Sequence, residues 1–234
     1  MSDHALFKRV AIGTIAVWLL LFAFAPNLMV VIASFLTRGE SEFLVWTPTT
    51  DAYARMLDPL YLHVFWNSFY LSAVTTLLCL AIGYPFAYLI ARADPRVRPY
   101  LLLLVIIPFW TSSLVRTYAM IVILNTNGLL NTLLQSLGLI DEPLELLYTD
   151  GAVIAGLVYT LLPFMVLPLY AAIEKLDWRL VEAARDLGAR QVRTFVSVII
   201  PLTSPGIVAG CMLVFLPGLG MFYVADFLGG SKTT

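Results

Sequence analysis

Along this chain of 234 residues, long apolar runs alternate with short polar segments, a rhythm that predicts membrane-spanning helices. The first charge-free stretch runs from Val10 to Thr37, more than the roughly 20 residues needed to cross about 30 Å of hydrocarbon. Further spans are expected at Val64–Ala91, Pro99–Leu124 (interrupted by Arg116), Gly151–Ile173 and Ile199–Ala225. The predicted fold class is an all-α membrane protein, a polytopic helical bundle with five spans. Lys8, Arg9 and Ala23-Phe24-Ala25 imitate a cleavable signal, but Pro26 follows at once and the apolar run continues, so the first span is read as uncleaved. Prolines 26, 85, 108, 163, 168, 205 and 217 fall in or at the ends of the spans, where membrane helices tolerate them as kinks.

The polar segments 38–63 and 125–149 form loops on one side. Within the second, Leu129, Leu130, Leu133, Leu134 and Leu137 make a helical stripe between Gly128 and Gly138, too short to span and expected to lie at the interface. If the spans alternate, Lys8, Arg9, Arg92, Arg96, Arg98, Lys175, Arg179, Arg185, Arg190 and Arg193 share one side, which is ten of the 14 basic residues. The opposite side holds Arg38, Arg55 and Lys232 and collects most of the acids. The positive-inside rule then puts the N-terminus and the 176–200 loop in the cytoplasm, and segments 38–63 and 125–149 in the periplasm. Arg116, about 25 Å from Pro99 along a helix, is expected near the outer interface, as an anchor or the partner of an outer carboxylate, with a substrate contact as the alternative.

The 176–200 loop is a built object. Asp177 suits an N-cap, Leu176 and Val181 occupy the positions of a hydrophobic staple, and Gly188 permits a left-handed stop. Ala183 and Ala184 leave room for a partner to approach the backbone closely. A second amphipathic segment, 190–198, leads through Pro201 into the fifth span.

Composition agrees: 60% of residues are hydrophobic and 12% charged, against about a quarter charged in soluble domains. Cys79 and Cys211 lie in apolar runs without metal-ligand spacing, and read as small core residues. No Ser/His/Asp or Cys/His set stands out and no GxxxxGK[ST] loop is present, so ATP, if used, is expected on another chain.

Glu182-Ala183-Ala184, Gly188 four positions later, then Val198, Ile200 and Pro201 follow the spacing of the EAA motif, EAA---G---------I-LP. The chain thus resembles the permeases of ATP-binding-cassette importers, with Val198 for Ile and Ile200 for Leu as departures. Gly83-Tyr84-Pro85-Phe86-Ala87, Pro108-Phe109-Trp110-Thr111, Leu161-Leu162-Pro163-Phe164-Met165 and Phe222-Tyr223-Val224-Ala225-Asp226 look like the first permease subunit of bacterial spermidine/putrescine importers. The resemblance implies the type I importer permease fold over 1–234, in a bacterial inner membrane. Its implied partners are a homologous second permease, a cytoplasmic ATPase dimer that alone binds ATP and Mg, and a periplasmic polyamine-binding protein, with no nucleic acid. Glu182, Ala183, Ala184, Gly188 and Pro201 would couple to the ATPase. The family carries a sixth span; here the chain ends at Gly229–Thr234, so the expectation is five spans with the sixth missing, by truncation or natural absence.

For a polycationic cargo, carboxylates and aromatic faces are the fitting contacts. Asp226, Tyr223, Phe222 and Trp110 are the candidates for an outer gate or polyamine contact, the alternative being an interfacial aromatic belt beside a solvated aspartate. Two other functions stay open: import of another solute, such as ferric iron or sulfate, and a membrane scaffold that docks a partner without transport.

Overall fold

The computed structural model describes residues 2–37 and 45–230, so Arg38, Glu40, Glu42 and Lys232 of the charge argument lie outside the described residues. The chain divides into two compact units, 1–63 and 64–234. Among the described residues, five helical segments are long and apolar enough to cross a membrane: Phe7–Ser34, Pro59–Arg92, Ser113–Ser136, Asp150–Glu174 and Gln191–Gly220.

In the first unit, α1 (Ser2–Leu19) continues through a π turn (Leu20–Phe24) into α2 (Ala25–Ser34). Pro26 has no N–H for the Phe22 carbonyl, and the widened turn just before it absorbs that mismatch without ending the helix. A two-stranded hairpin, β1 (Leu36–Thr37) with β2 (Val45–Pro48), and α3 (Asp51–Met56) follow. The Ser34 and Tyr53 hydroxyls, 2.8 Å apart, fasten α3 to the end of α2.

The second unit is organised around α8 (Asp150–Glu174). Val153, Leu157, Leu161, Met165, Leu169 and Ile173 recur every four residues and are all buried, forming one stripe. Against it pack α4 (Pro59–Arg92) and α11 (Ile200–Gly220), with glycines at the crossings. A Cβ built on Gly206 would stand 2.4 Å from the Ala172 Cβ and 2.8 Å from the Pro168 carbonyl oxygen. One on Gly83 would stand 3.1 Å from the Met165 side chain. Lipid offers no hydrophobic drive between helices, so close backbone approach at small residues supplies the packing.

Two spans depart from the sequence expectation. The expected third span, Pro99–Leu124, is discontinuous: α5 (Arg98–Ile106) tightens into a 3-10 turn (Ile107–Trp110), the chain extends at Thr111 and Ser112, and α6 (Ser113–Leu124) restarts. The segment long enough to cross therefore runs Ser113–Ser136, and Arg98–Trp110 is a shorter apolar helix. Pro108 removes a helical donor, and the Thr111 hydroxyl donates to the Pro108 carbonyl at 2.9 Å, closing the first piece. The fifth starts earlier than Ile199. α10 (Gln191–Thr194) runs through a π turn (Phe195–Ile199) directly into α11, so the expected separate segment 190–198 is the first part of the span. It also ends earlier than Ala225: Met221 (φ −83°, ψ 53°) breaks the helix and α12 (Phe222–Gly229) turns off to pack on α8, where Gly156 lies under Leu228.

The leucine stripe forms a helix, α7 (Leu129–Ser136), between Gly128 and Gly138, but it falls within the membrane-length segment Ser113–Ser136 rather than outside the spans. Its Asn131 is buried: the amide donates to the carbonyls of Thr126 (3.0 Å) and Leu144 (2.9 Å) and accepts from the Leu144 N–H (3.0 Å). It clips the 125–144 segment shut, a role its polar character alone did not announce. Cys79 and Cys211 are free thiols, Cys79 fully buried in the core.

Candidate functional site

The 176–200 loop folds as its residues suggest. α9 (Trp178–Asp186) starts where the Asp177 carboxylate accepts from the Arg179 N–H at 3.1 Å. Leu176 and Val181, the staple pair, are both buried. At the other end the Ala189 N–H donates to the Ala184 carbonyl (3.0 Å) and the Gly188 N–H to that of Arg185 (2.8 Å), a Schellman closure. It requires Gly188 at φ +80°, the left-handed region where a side chain is strained.

What the loop presents follows from what it buries. Glu182, Ala183, Gly188 and Pro201 are exposed and Ala184 is half-buried, so the motif residues are open at the surface of the chain. Leu180, Leu187 and Val192 are also exposed; Leu187, at 89%, is among the barest apolar side chains described. Exposed apolar side chains on a capped segment fixed to spans at both ends mark a contact surface. Beside it, a cavity of about 500 Å³ lies between the end of α8 and the starts of α9 and α11, reaching Leu180, Leu202 and Lys175.

Sequence reasoning missed what holds this loop to the spans. Trp178 stacks edge-on to Tyr88 (5.9 Å between centroids) and carries the Arg92 guanidinium over its face at 4.7 Å, pinning α9 to the end of α4. Arg98 reaches the Glu174 carboxylate at 3.0 Å and the Ala91 carbonyl at 2.9 Å, tying the turn after α4 to the end of α8. The only forewarning was a tryptophan beside an N-cap and an arginine at a helix end.

The second candidate cluster is partly assembled. The Tyr223 hydroxyl hydrogen-bonds to that of Ser113, at the restart of the broken third span, three residues after Trp110. Tyr118 and Phe227, 5.4 Å apart, make a second contact between α6 and α12. Phe222 stands edge-on to Tyr223 at 6.4 Å and is itself exposed, as are Trp110 and Asp226. Among the described residues Trp110 makes no ring contact with Tyr223, and Asp226 has no ion-pair partner.

Arg116 corrects an expectation. It does not snorkel outward, nor does it meet an outer carboxylate among the described residues; it is 7% exposed. Its guanidinium lies over the rings of Phe109 (5.7 Å) and Tyr159 (6.0 Å), and its Nε and Nη1 are buried without an acceptor. The expectation counted along one continuous helix from Pro99, whereas the chain breaks after Trp110 and sets Phe109 beside Arg116.

Known proteins align with this architecture. Residues 83–234 match the family described as binding-protein-dependent transport system inner membrane component. The spermidine/putrescine transport system permease protein PotB of Salmonella typhimurium is 54% identical over 232 residues, 99% of this chain and 81% of the relative. That of Escherichia coli is 55% identical over 221 residues, 94% of this chain and 80% of the relative. Among solved structures, a chain of a bacterial ABC transporter involved in the import of alginate superposes with a TM-score of 0.74 at 18% identity, covering 99% of this chain and 80% of that one. The fold is that of an ABC importer permease, as the EAA spacing and the five spans led one to expect. The chain belongs to the binding-protein-dependent transport system inner membrane component family, and is a multi-pass transport protein of the inner membrane.

Proposed function

We propose that this chain is one permease subunit of an ATP-driven polyamine importer, forming half of the translocation path beside a homologous second permease. The observation that carries the reading is the 54% identity over nearly the whole chain to a spermidine/putrescine permease. ATP and Mg are bound by a separate cytoplasmic ATPase dimer, and this chain holds no ATPase site of its own. The N-terminus and the Glu182 loop face that ATPase on the cytoplasmic side. The open face of α9, with Glu182, Ala183 and Leu187, seats in the ATPase, and the continuous helix from Gln191 to Gly220 carries its movement into the membrane. A periplasmic polyamine-binding protein delivers the cargo; a solved alginate importer in complex with its ligand-bound periplasmic protein supports that kind of partner.

At the opposite end, Asp226, Tyr223, Phe222 and Trp110 meet the polyamine. Exposed aromatic faces and an unpaired carboxylate suit ammonium groups leaving water, at about 0.5–2 kcal/mol per cation–π contact. Expressed with its partners in a polyamine auxotroph lacking its own uptake systems, the chain restores growth on submicromolar spermidine. Asp226→Asn slows uptake with the complex intact. No rescue by a correctly assembled complex rejects the cargo, and unchanged uptake by Asp226→Asn rejects the site.

A further inference from the structure

Arg116 sits in the first turn of α6, its N–H donating to the Ser112 carbonyl at 3.2 Å, and its side chain folds back toward the 3-10 turn. There the guanidinium carbon lies 5.7 Å from the centre of the Phe109 ring and 6.0 Å from that of Tyr159 on α8. Phe164 meets Phe109 edge-on at 4.9 Å and fixes the orientation of that ring. An arginine kept in a membrane protein as a permanent strut is paired with a carboxylate or with carbonyls. This one has neither among the described residues: Nε and Nη1 are buried with no acceptor, and the described ion pair is Arg98–Glu174. What holds the charge is the pair of ring faces.

Two consequences follow. The rings form a cation site, since a guanidinium rests on them. Its occupant is tethered but weakly held, because leaving lets its unsatisfied N–H groups find acceptors. Tyr159 is 43% exposed and Phe109 half-buried, so one edge of the ring pair lies open at the surface of the chain while Arg116 covers the rest.

We propose that Arg116 is a resident cation occupying an aromatic site of Phe109 and Tyr159, which an incoming ammonium group must take from it. A monoamine would replace one charge by another and gain little. A polyamine carries further ammonium groups that bind elsewhere along the path, so displacement favours it, and Arg116 becomes a determinant of specificity by charge number. This last step rests on the polyamine reading; the cation site does not.

The test uses the assembled complex of both permeases and ATPase, without binding protein, titrated calorimetrically with methylguanidinium and butylammonium. The wild type and Arg116→Lys should bind both weakly. Arg116→Met and Arg116→Gln, with the rings vacated, should bind them at least tenfold more tightly, and adding Tyr159→Leu should abolish the gain. In transport, Arg116→Met should lower KM for spermidine several-fold with kcat within about twofold. No gain in small-cation binding, or a gain that survives Tyr159→Leu, overturns the proposal. Failure of both uncharged variants to assemble assigns Arg116 a structural role and overturns it as well. A wrong cargo assignment would show only in the spermidine measurement and would leave the small-cation titrations unchanged.

Discussion

Tyr84 and Thr203, 119 residues apart in sequence, share a buried hydrogen bond of 2.9 Å that joins α4 to α11 one turn past the π segment. The Thr203 hydroxyl donates to the Ile199 carbonyl at 2.8 Å, so Tyr84 is the donor of the shared bond. The Tyr84 ring also meets Phe195 edge-on at 5.5 Å, so Tyr84 holds both the π segment and the turn that follows it. Thr203→Val strands a buried phenol and should cost about 1–3 kcal/mol, whereas Tyr84→Phe leaves the threonine bonded to its own helix and should cost about 1 or less. The Tyr84→Phe/Thr203→Val pair should then recover part of the loss. Melting temperatures of the three purified variants give the ranking; a pair worse than Thr203→Val alone would contradict the assignment of donor.

The α8–α11 crossing at Gly206 leaves no room for a methyl group, because its nearest neighbours are a Cβ and a backbone oxygen that cannot rotate away. Gly206→Ala should destabilise by about 1–3 kcal/mol or separate the helices. At Gly156 the obstruction is the tip of Leu228, which can change rotamer, so Gly156→Ala should cost less. Gly220→Ala, with nothing within 4 Å, should be close to neutral. Thermal stability in detergent orders the three variants, and equal losses would refute the packing argument.

The ends of α9 can be loosened separately. Gly188 at φ +80° should accept Asn, which visits the left-handed region readily, and resist Val, with Ala between, at about 1–2 kcal/mol for the strained residue. Asp177→Ala removes the cap, at about 1 kcal/mol. Both act on a short helix attached to spans, so global melting should hardly move. The readout is binding-protein-stimulated ATP hydrolysis by the complex, expected to fall several-fold in Gly188→Val and Asp177→Ala and to stay near wild type in Gly188→Asn.

Glu182 and Ala183 are exposed and take no part in the core, so Glu182→Lys and Ala183→Arg should leave the spans folded. Each should reduce the amount of ATPase that co-purifies with the permease pair. Full retention of the ATPase by both variants would remove α9 from that interface.

The sequence made the spans legible because about 20 apolar residues have few other uses, and it made α9 legible because capping chemistry is local. Asp177 and Gly188 stand at its ends as their types suggested. The break in the third span was not legible. Pro85, Pro163, Pro168, Pro205 and Pro217 all remain inside continuous helices, while Pro108 ends one, and the difference lies in what neighbouring groups do with the freed carbonyls. Arg116 was misplaced for a related reason: its burial depends on Phe109 folding back and on Tyr159, 43 residues away. In the candidate gate, Tyr223 found a partner in Ser113 that no spacing rule connects, whereas Trp110 and Asp226 stand exposed and unjoined among the described residues.

The most direct test of the account is accumulation of radiolabelled spermidine by proteoliposomes. They would hold this chain with its partner permease and ATPase, with ATP enclosed and the spermidine-loaded binding protein outside. The account predicts accumulation that needs both ATP and the binding protein, is competed by unlabelled spermidine but not by sulfate, and is lost in Glu182→Lys. An assembled complex that hydrolyses ATP in response to a binding protein loaded with a different solute, yet accumulates no spermidine, would contradict it.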